Sequence, residues 1–326
     1  MAELAQVRPI DPVLTNFSLE YRNKQEVYAA DALFPFTPTD GDTGTYFIAD
    51  PLNNLKVVDA GWSYTTGATR GSSRFTKATF AAQPYAWEEA VPDAWVRNWL
   101  GGGQTLKERA ATTCMDKLLL WREFRVEAIA DGVAPTTSLA GTARWDSTAS
   151  NARADVRAAM ALILKRTATP ANGMIITGAV WDSIVGTTLA GSAGAAIGEM
   201  IKYTQRWTGA DITPELVAQY FNVALVKPGL AIASDPTKFV NTTIPGGAGL
   251  PEIGGYMWDQ KEVYVFRYEQ GQQVVSYGQT FGEAPMFLAD QYRDDKVKAD
   301  VVRCTNTVAE KVTCSGAIEV IGTVIS

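Results

Sequence analysis

The chain has 326 residues, 46% hydrophobic and 20% charged, with 29 basic and 35 acidic side chains and a net charge of −6. That length suits two or three globular units or one elongated subunit, and the composition can bury a sizeable core. The acidic balance argues against a protein that grips nucleic acid through its phosphates. The complete lack of histidine excludes Ser-His or Cys-His catalysis and any His-ligated metal.

Cys114, Cys304 and Cys314 form neither a disulfide framework nor a zinc spacing. A Cys304–Cys314 bond would require the two to flank a hairpin; three reduced thiols are the simpler expectation. The start, MAELAQVRPIDPVL, has no basic region followed by an apolar run. No stretch approaches the roughly 18 apolar residues of a membrane span. The expected product is soluble, cytoplasmic where it is made, and without a membrane partner.

Residues 1–40 read as an arm broken by Pro9, Pro12, Pro35 and Pro38, with one short amphipathic helix around Asn16 to Ala32. Residues 41–88 shift to Thr, Ser, Gly and aromatics, with Tyr46, Phe47, Trp62 and Tyr64 among the β-formers and a turn-like TTGATRGSS. This predicts a long β-hairpin whose limbs of about 20 residues would reach on the order of 60 Å. Between Asp59 and Glu88 there is no acidic residue, only Arg70, Arg74 and Lys77, so the segment carries +3 against −9 for the rest. A basic projection on an acidic body suits contact with another copy.

Asp93 is expected to cap a short helix, AWVRNWL, stopped by Gly101, Gly102 and Gly103. The strongest helix follows at 104–131. Leu106, Ala110, Cys114, Leu118, Trp121 and Ile129 mark its apolar stripe, and charges including Arg122, Glu123 and Arg125 fill the other face. Residues 151–285 alternate helix and strand: a helix from Ala152 to Thr167, the strand GMIITG, the helix AVWDSIVG, PELVAQYF capped by Asp211 or Thr213, then strands NVALVKPG, KEVYVFRYE and QQVVSYGQTF. From about Met286 come KVKADVVRC, a turn, EKVTC and AIEVIGTVI, read as strands returning to the long helix.

Chemistry-bearing motifs are weak. PGGAGLPEIGG lacks the Lys-Ser/Thr of a phosphate loop, and DGDTG has Pro51 where a calcium loop needs its twelfth-position acid. No catalytic residue, cofactor or metal is expected, and the chain is not read as an enzyme.

Four passages together resemble the major capsid proteins of tailed bacteriophages. They are DPVLTNFSLEYRNKQEVYAADALFPFTP; TGTYFIAD followed by the basic loop and YAWEEAVPDAWVRN; MDKLLLWREFRVEAI; and RWDSTASNARADVRAAMALI through IKYTQRWTGADITPELVAQYFNVALV. The resemblance implies an α+β fold: an N-terminal arm (1–40), an extended β-hairpin loop (41–88), a peripheral domain with the spine helix (89–150 and 286–326), and an α/β axial domain (151–285). It implies self-assembly through pentamers and hexamers into an icosahedral head shell, made in the host cytoplasm and carried in the virion. The packaged double-stranded DNA would be touched only loosely. A separate scaffolding protein, a portal and decoration proteins are the implied partners. An encapsulin-like compartment is the alternative within the same fold. Candidate intersubunit contacts are Trp62, Tyr64, Arg70, Arg74 and Lys77 on the loop, with Asp290, Asp294 and Asp295 as acidic counterparts on a neighbour.

Overall fold

A computed structural model describes residues 28–48, 57, 76–98, 102–133, 135, 137–147, 149–185, 212–233, 255–258, 260–271 and 275–325. The elements in the first half are α1 (Ala30–Leu33), β1 (Phe36–Pro38), β2 (Thr43–Ile48), β3 (Thr76–Ala81), β4 (Gln83–Pro92), α2 (Asp93–Asn98), α3 (Gly102–Asp131) and β5 (Thr137–Ser138). They are followed by α4 (Ala152–Thr167), β6 (Gly173–Thr177), α5 (Gly178–Val185), α6 (Pro214–Phe221), β7 (Leu225–Gly229), β8 (Ile232–Ala233) and β9 (Gly255–Tyr256). The last strands are β10 (Val263–Phe266), β11 (Gly278–Gly282), β12 (Leu288–Asp294), β13 (Ala299–Val312) and β14 (Ile318–Gly322).

Two five-stranded sheets organise the chain. The first runs β1-β11-β13-β12, with β4 on the other side of β13. The second runs β5-β14-β10-β6-β7. Helix α3, 30 residues and about 45 Å long, lies across both. Its N-terminal half packs Leu106, Ala110, Cys114 and Leu118 on Val302, Cys304 and Val308 of the first sheet. Its C-terminal half packs Val126 and Ala130 on Tyr264, Phe266 and Val320 of the second. Lys107 pairs with Asp300 at 3.0 Å, and Arg125 with Glu310 at 2.7 Å. Those 18 helical residues rise about 27 Å and the ten strand residues about 33 Å, so helix and strand run nearly parallel.

The opposite face of the second sheet carries α4, α5 and α6. Val156, Ile163, Ile176, Val217 and Ile321 meet there, with Trp145 stacked on Phe221 at 5.6 Å. The caps are local: Asn151 accepts from Ala154 N at 3.2 Å, and Thr213, not Asp211, accepts from Leu216 N at 3.4 Å. Pro214 at the first helical position needs no donor partner.

Several sequence expectations are corrected. The region read as two strands and a turn, 296–314, is the single strand β13; β4, β12 and β11 supply its ladder partners, which override the polar Thr305-Asn306-Thr307 interruption. Cys304 therefore sits mid-strand and Cys314 beyond its end, more than about 25 Å along the chain direction and far outside disulfide reach. Cys304 instead faces Cys114, whose thiol is pushed up by the hydrogen bond between them and by burial. All three cysteines are free. Gly102 and Gly103 do not stop a helix; they form the first turn of α3.

Residues 83–88, assigned to the loop, belong to β4 and pair with β13. A cut at 285/286 does not follow the sheets: β11 joins the first and β14 the second. Strands β2 and β3 do pair, Ile48 opposite Thr76, over six residues each. Of the expected arm helix, 16–32, Tyr28 and Ala29 are not helical and Ala30–Ala32 are, within α1; residues 16–27 lie outside the described residues.

The largest correction concerns α3. Trp121 is 48% exposed, whereas Arg122, Glu123 and Glu127 are buried. Arg122 donates to Asp31, to the Phe34 carbonyl (2.9 Å) and to Thr280 Oγ1 (3.2 Å). Glu123 accepts from Ala29 N (2.8 Å), Ala30 N (2.9 Å) and Trp258 Nε1 (2.6 Å). Burial pushes the Glu123 carboxyl up, against the pull of those donors and of Arg122. The Phe34 ring that follows α1 lies on Gly278, where a Cβ would come within 2.3 Å of it. Arg122→Ala should cost about 1–3 kcal/mol, because the buried Phe34 carbonyl and Thr280 hydroxyl lose a charged donor while the half-exposed Asp31 can turn to water. The check is a lowered urea midpoint; a midpoint equal to the parent's contradicts it.

Candidate assembly surfaces

The β2–β3 pair rests on an aromatic anchor. Phe281 of β11 stacks on Phe80 of β3 at 4.7 Å and meets Tyr46 of β2 at 5.2 Å. The Phe80 ring lies over Gly44 on the paired strand, and a Cβ there would sit 2.7 Å from it. Glycine at that position lets the ring fold flat across the hairpin and reach Phe281. Lys77 projects from β3 with its Nζ 5.7 Å from the centre of the Phe47 ring across the strand pair. Trp62, Tyr64, Arg70 and Arg74 lie outside the described residues.

The three candidate acids are not equivalent. Asp290 is buried on β12, and its two carboxylate oxygens accept from Arg303 of β13 at 2.9 and 2.7 Å. Its charge is thus committed within its own chain. Asp294 and Asp295 are at the exposed turn between β12 and β13, where Asp294 accepts from Lys296 N at 2.9 Å. The Asp295 side chain is 93% exposed, 3.5 Å from Arg293.

Arg293, not singled out from the sequence, organises this corner. It is bidentate to Asp93 at 2.6 and 2.5 Å and also donates to Asp300 at 3.2 Å. Asp93 thus opens α2 while its carboxylate is held by a neighbouring strand. The Arg293 bond holds the Asp93 carboxyl below the usual range. Burial pushes Asp300 up, but Lys107 and Arg293 outweigh it and hold it low.

A third surface runs along the side of α3. Strand β4 is an edge: it pairs with β13, and no described strand pairs with its other side. Pro84 and Pro92 near its ends lack the donors that would invite a further strand. Its Tyr85 and Trp87 wall a groove of about 530 Å³ with Lys117, Leu120, Trp121 and Phe124 of the helix. A separate cavity of about 600 Å³ lies nearer the helix start between Glu89, Val91, Trp95, Leu106, Arg109 and Thr113. Trp87, Trp95 and Trp121 are 45%, 61% and 48% exposed. The periodicity argument assigned Trp121 to the core because position 121 is one turn from Leu118; the open side of the edge strand was not legible from spacing.

Among the described residues no group of three or more Cys, Asp or Glu is placed to hold a metal ion.

No protein-family model matches the sequence, and no curated protein matches it. Solved structures do match. A phage-related protein from Bordetella bronchiseptica RB50 is 17% identical, with a TM-score of 0.70 over 98% of each chain. A virus-like particle from Pyrococcus furiosus is 12% identical, with a TM-score of 0.54 over 95% of this chain and 97% of that one. A Microbacterium phage Oxtober96 chain is 12% identical, with a TM-score of 0.53 over 99% and 96%. The chain thus shares its fold with these three proteins over nearly its whole length.

The charged corner has a pH signature. Carboxyls held low in the folded chain stabilise it fully above their unfolded value of about 3.9, and that stability is lost as pH falls through the lowered folded values. Arg293→Gln should therefore lower the urea midpoint at neutral pH, and the gap to the parent should close as pH drops toward about 2. A gap that persists in acid contradicts this role.

Proposed function

We propose that this chain is the major capsid protein of a tailed bacteriophage, a structural rather than catalytic subunit whose copies close into the icosahedral head shell. The observation that carries the reading is a fold shared over nearly the full length of both chains with a phage-related protein and with a virus-like particle, joined to a β2–β3 pair anchored at its base on Phe281. A two-stranded ribbon is marginal alone in water, and contact with other copies supplies the burial it lacks. Pentamers and hexamers satisfy the same contacts by rotation, and each subunit makes several, so modest contacts sum to a stable shell.

In this reading the first sheet with α3 forms the peripheral domain and the second sheet with α4, α5 and α6 the axial domain. The basic loop with Trp62, Tyr64, Arg70, Arg74 and Lys77 lies on a neighbour's acidic surface. Asp294 and Asp295 are its best counterparts, since the Asp290 carboxylate is already bonded to Arg303. The acidic chain holds packaged double-stranded DNA loosely. A scaffolding protein, a portal and decoration proteins are the further candidate partners, with assembly in the host cytoplasm and residence in the virion.

Negative-stain electron microscopy of the purified chain should show closed particles; a protein that stays monomeric at all concentrations refutes the reading. Particles enclosing a protein cargo instead of DNA would move it to an encapsulin-like compartment. Replacing residues 49–75 with a tight turn should leave a folded subunit, because β2 and β3 still pair, yet abolish closed particles. Changing Arg70, Arg74 and Lys77 together to Glu should block closure most strongly at low salt, where screening is least. Closure indifferent to the triple change removes the loop's electrostatic role.

A further inference from the structure

The trough beside α3 leaves three indoles partly exposed on one side of one helix. We propose that it is the seat of the chain's own leader: residues 10–21, IDPVLTNFSLEY, bed along it in the unassembled subunit. The inference does not require the shell reading to hold.

The first ground is where the described chain begins. Tyr28 donates its hydroxyl to Asp116 at 2.6 Å, and the next residues pass to Glu123, which holds Ala29 N and Ala30 N. Asp116 is the residue before Lys117, which lines the trough. Tyr28 is thus held against α3 one helical step round from Lys117, and the 27 residues before it join the chain there. The six residues between Tyr21 and Tyr28 span up to about 20 Å when extended, and the trough from Leu106 to Phe124 is about 27 Å long. The leader reaches it without strain.

The second ground is charge. The trough carries Arg109 and Lys117 on the helix against Glu89 on the strand. Residues 10–21 contain Asp11 and Glu20 and no Lys or Arg. The competing aromatic segment of the chain, residues 60–75, contains Arg70 and Arg74 and no acid, so the helix cations would repel it. The third ground is composition: Ile10, Val13, Leu14, Phe17, Leu19 and Tyr21 supply apolar surface for Trp87, Trp121 and Phe124. Contiguous aromatic exposure of this kind marks a contact surface.

The consequence is a subunit that covers its own spine before it meets a neighbour. The test is hydroxyl-radical footprinting of Trp87, Trp95 and Trp121 on the unassembled subunit, comparing the full chain with a chain lacking residues 1–24. Labelling should rise several-fold on deletion and fall again when a synthetic peptide of residues 1–27 is added. In the full-length chain, the double change Arg109→Glu and Lys117→Glu should raise labelling in the same way. Both side chains are exposed, so that variant keeps the fold should the deletion not. Equal labelling in the full and shortened chains overturns the proposal, as does labelling unmoved by the charge change. Protection that disappears on dilution assigns the trough to a second copy's segment and overturns the placement within one chain. Because the readout is taken before assembly, failure to form particles leaves this result intact, and the two readings fail separately.

Discussion

The structure turns on a buried ion in the middle of a helix. Arg122 and Glu123 sit where α3 passes from one sheet to the other, and both are almost fully shielded from water. Burying a charge costs several kcal/mol unless its bonds are made inside. Arg122 makes them to Asp31, Phe34 and Thr280, which belong to the arm and the first sheet. Glu123 makes them to Ala29, Ala30 and Trp258, which belong to the arm and the loop leading to β10. Neither residue can be satisfied by the helix alone, so arm, helix and both sheets must arrive together. An apolar stripe would permit sliding along α3; these directional bonds fix one register.

That fixed register positions every surface considered for assembly. Arg122 holds Thr280 at the centre of β11, and Phe281 beside it carries the base of the hairpin. The base of the β2–β3 pair is thus tied to the same residue that holds Asp31 and Phe34. At the other end, Lys107 and Arg293 share Asp300, so the turn between β12 and β13 is held to the start of α3 and to α2. The strands and turns tied in this way keep fixed angles to the body. Interlocked polar bonds give that angular definition better than apolar packing, which tolerates small rotations.

Much of this was legible from the sequence, and the failures have physical causes. The 3.6-residue period found α3 within two residues at its start, and apolar runs found β6, β10 and β14 because those strands are buried on both faces. Arg122 and Glu123 were placed on a solvated face because charge is normally a sign of exposure; only the distant Ala29, Asp31 and Trp258 make burial tolerable, and no local window contains them. Asn306 was part of a supposed turn for a related reason. It sits in the middle of β13, opposite Tyr85, with both side-chain polar atoms buried and unpartnered among the described residues. Strand propensity disfavours it, yet three neighbouring strands hold the backbone extended. The partition of strands between sheets was also hidden, since β11 and β14 join partners by long-range pairing that composition does not encode. Of the candidate contacts, the sequence found the sign of the charge on the loop but not that the Asp290 carboxylate is committed to Arg303.

The charge distribution follows the same division of labour. Within the body, opposite charges are paired at short range: Arg303 with Asp290, Arg125 with Glu310, Arg166 with Glu319 at 2.7 Å. Such pairs are partly or fully removed from solvent and little affected by salt. The residual acidity is left on exposed turns such as Asp294 and Asp295, and the residual basicity is concentrated in Arg70, Arg74 and Lys77. Pairs formed by such exposed charges are weak and screened by salt. The pairs that define the shape of the chain are therefore shielded by burial, and the charges left over are the ones that salt can reach.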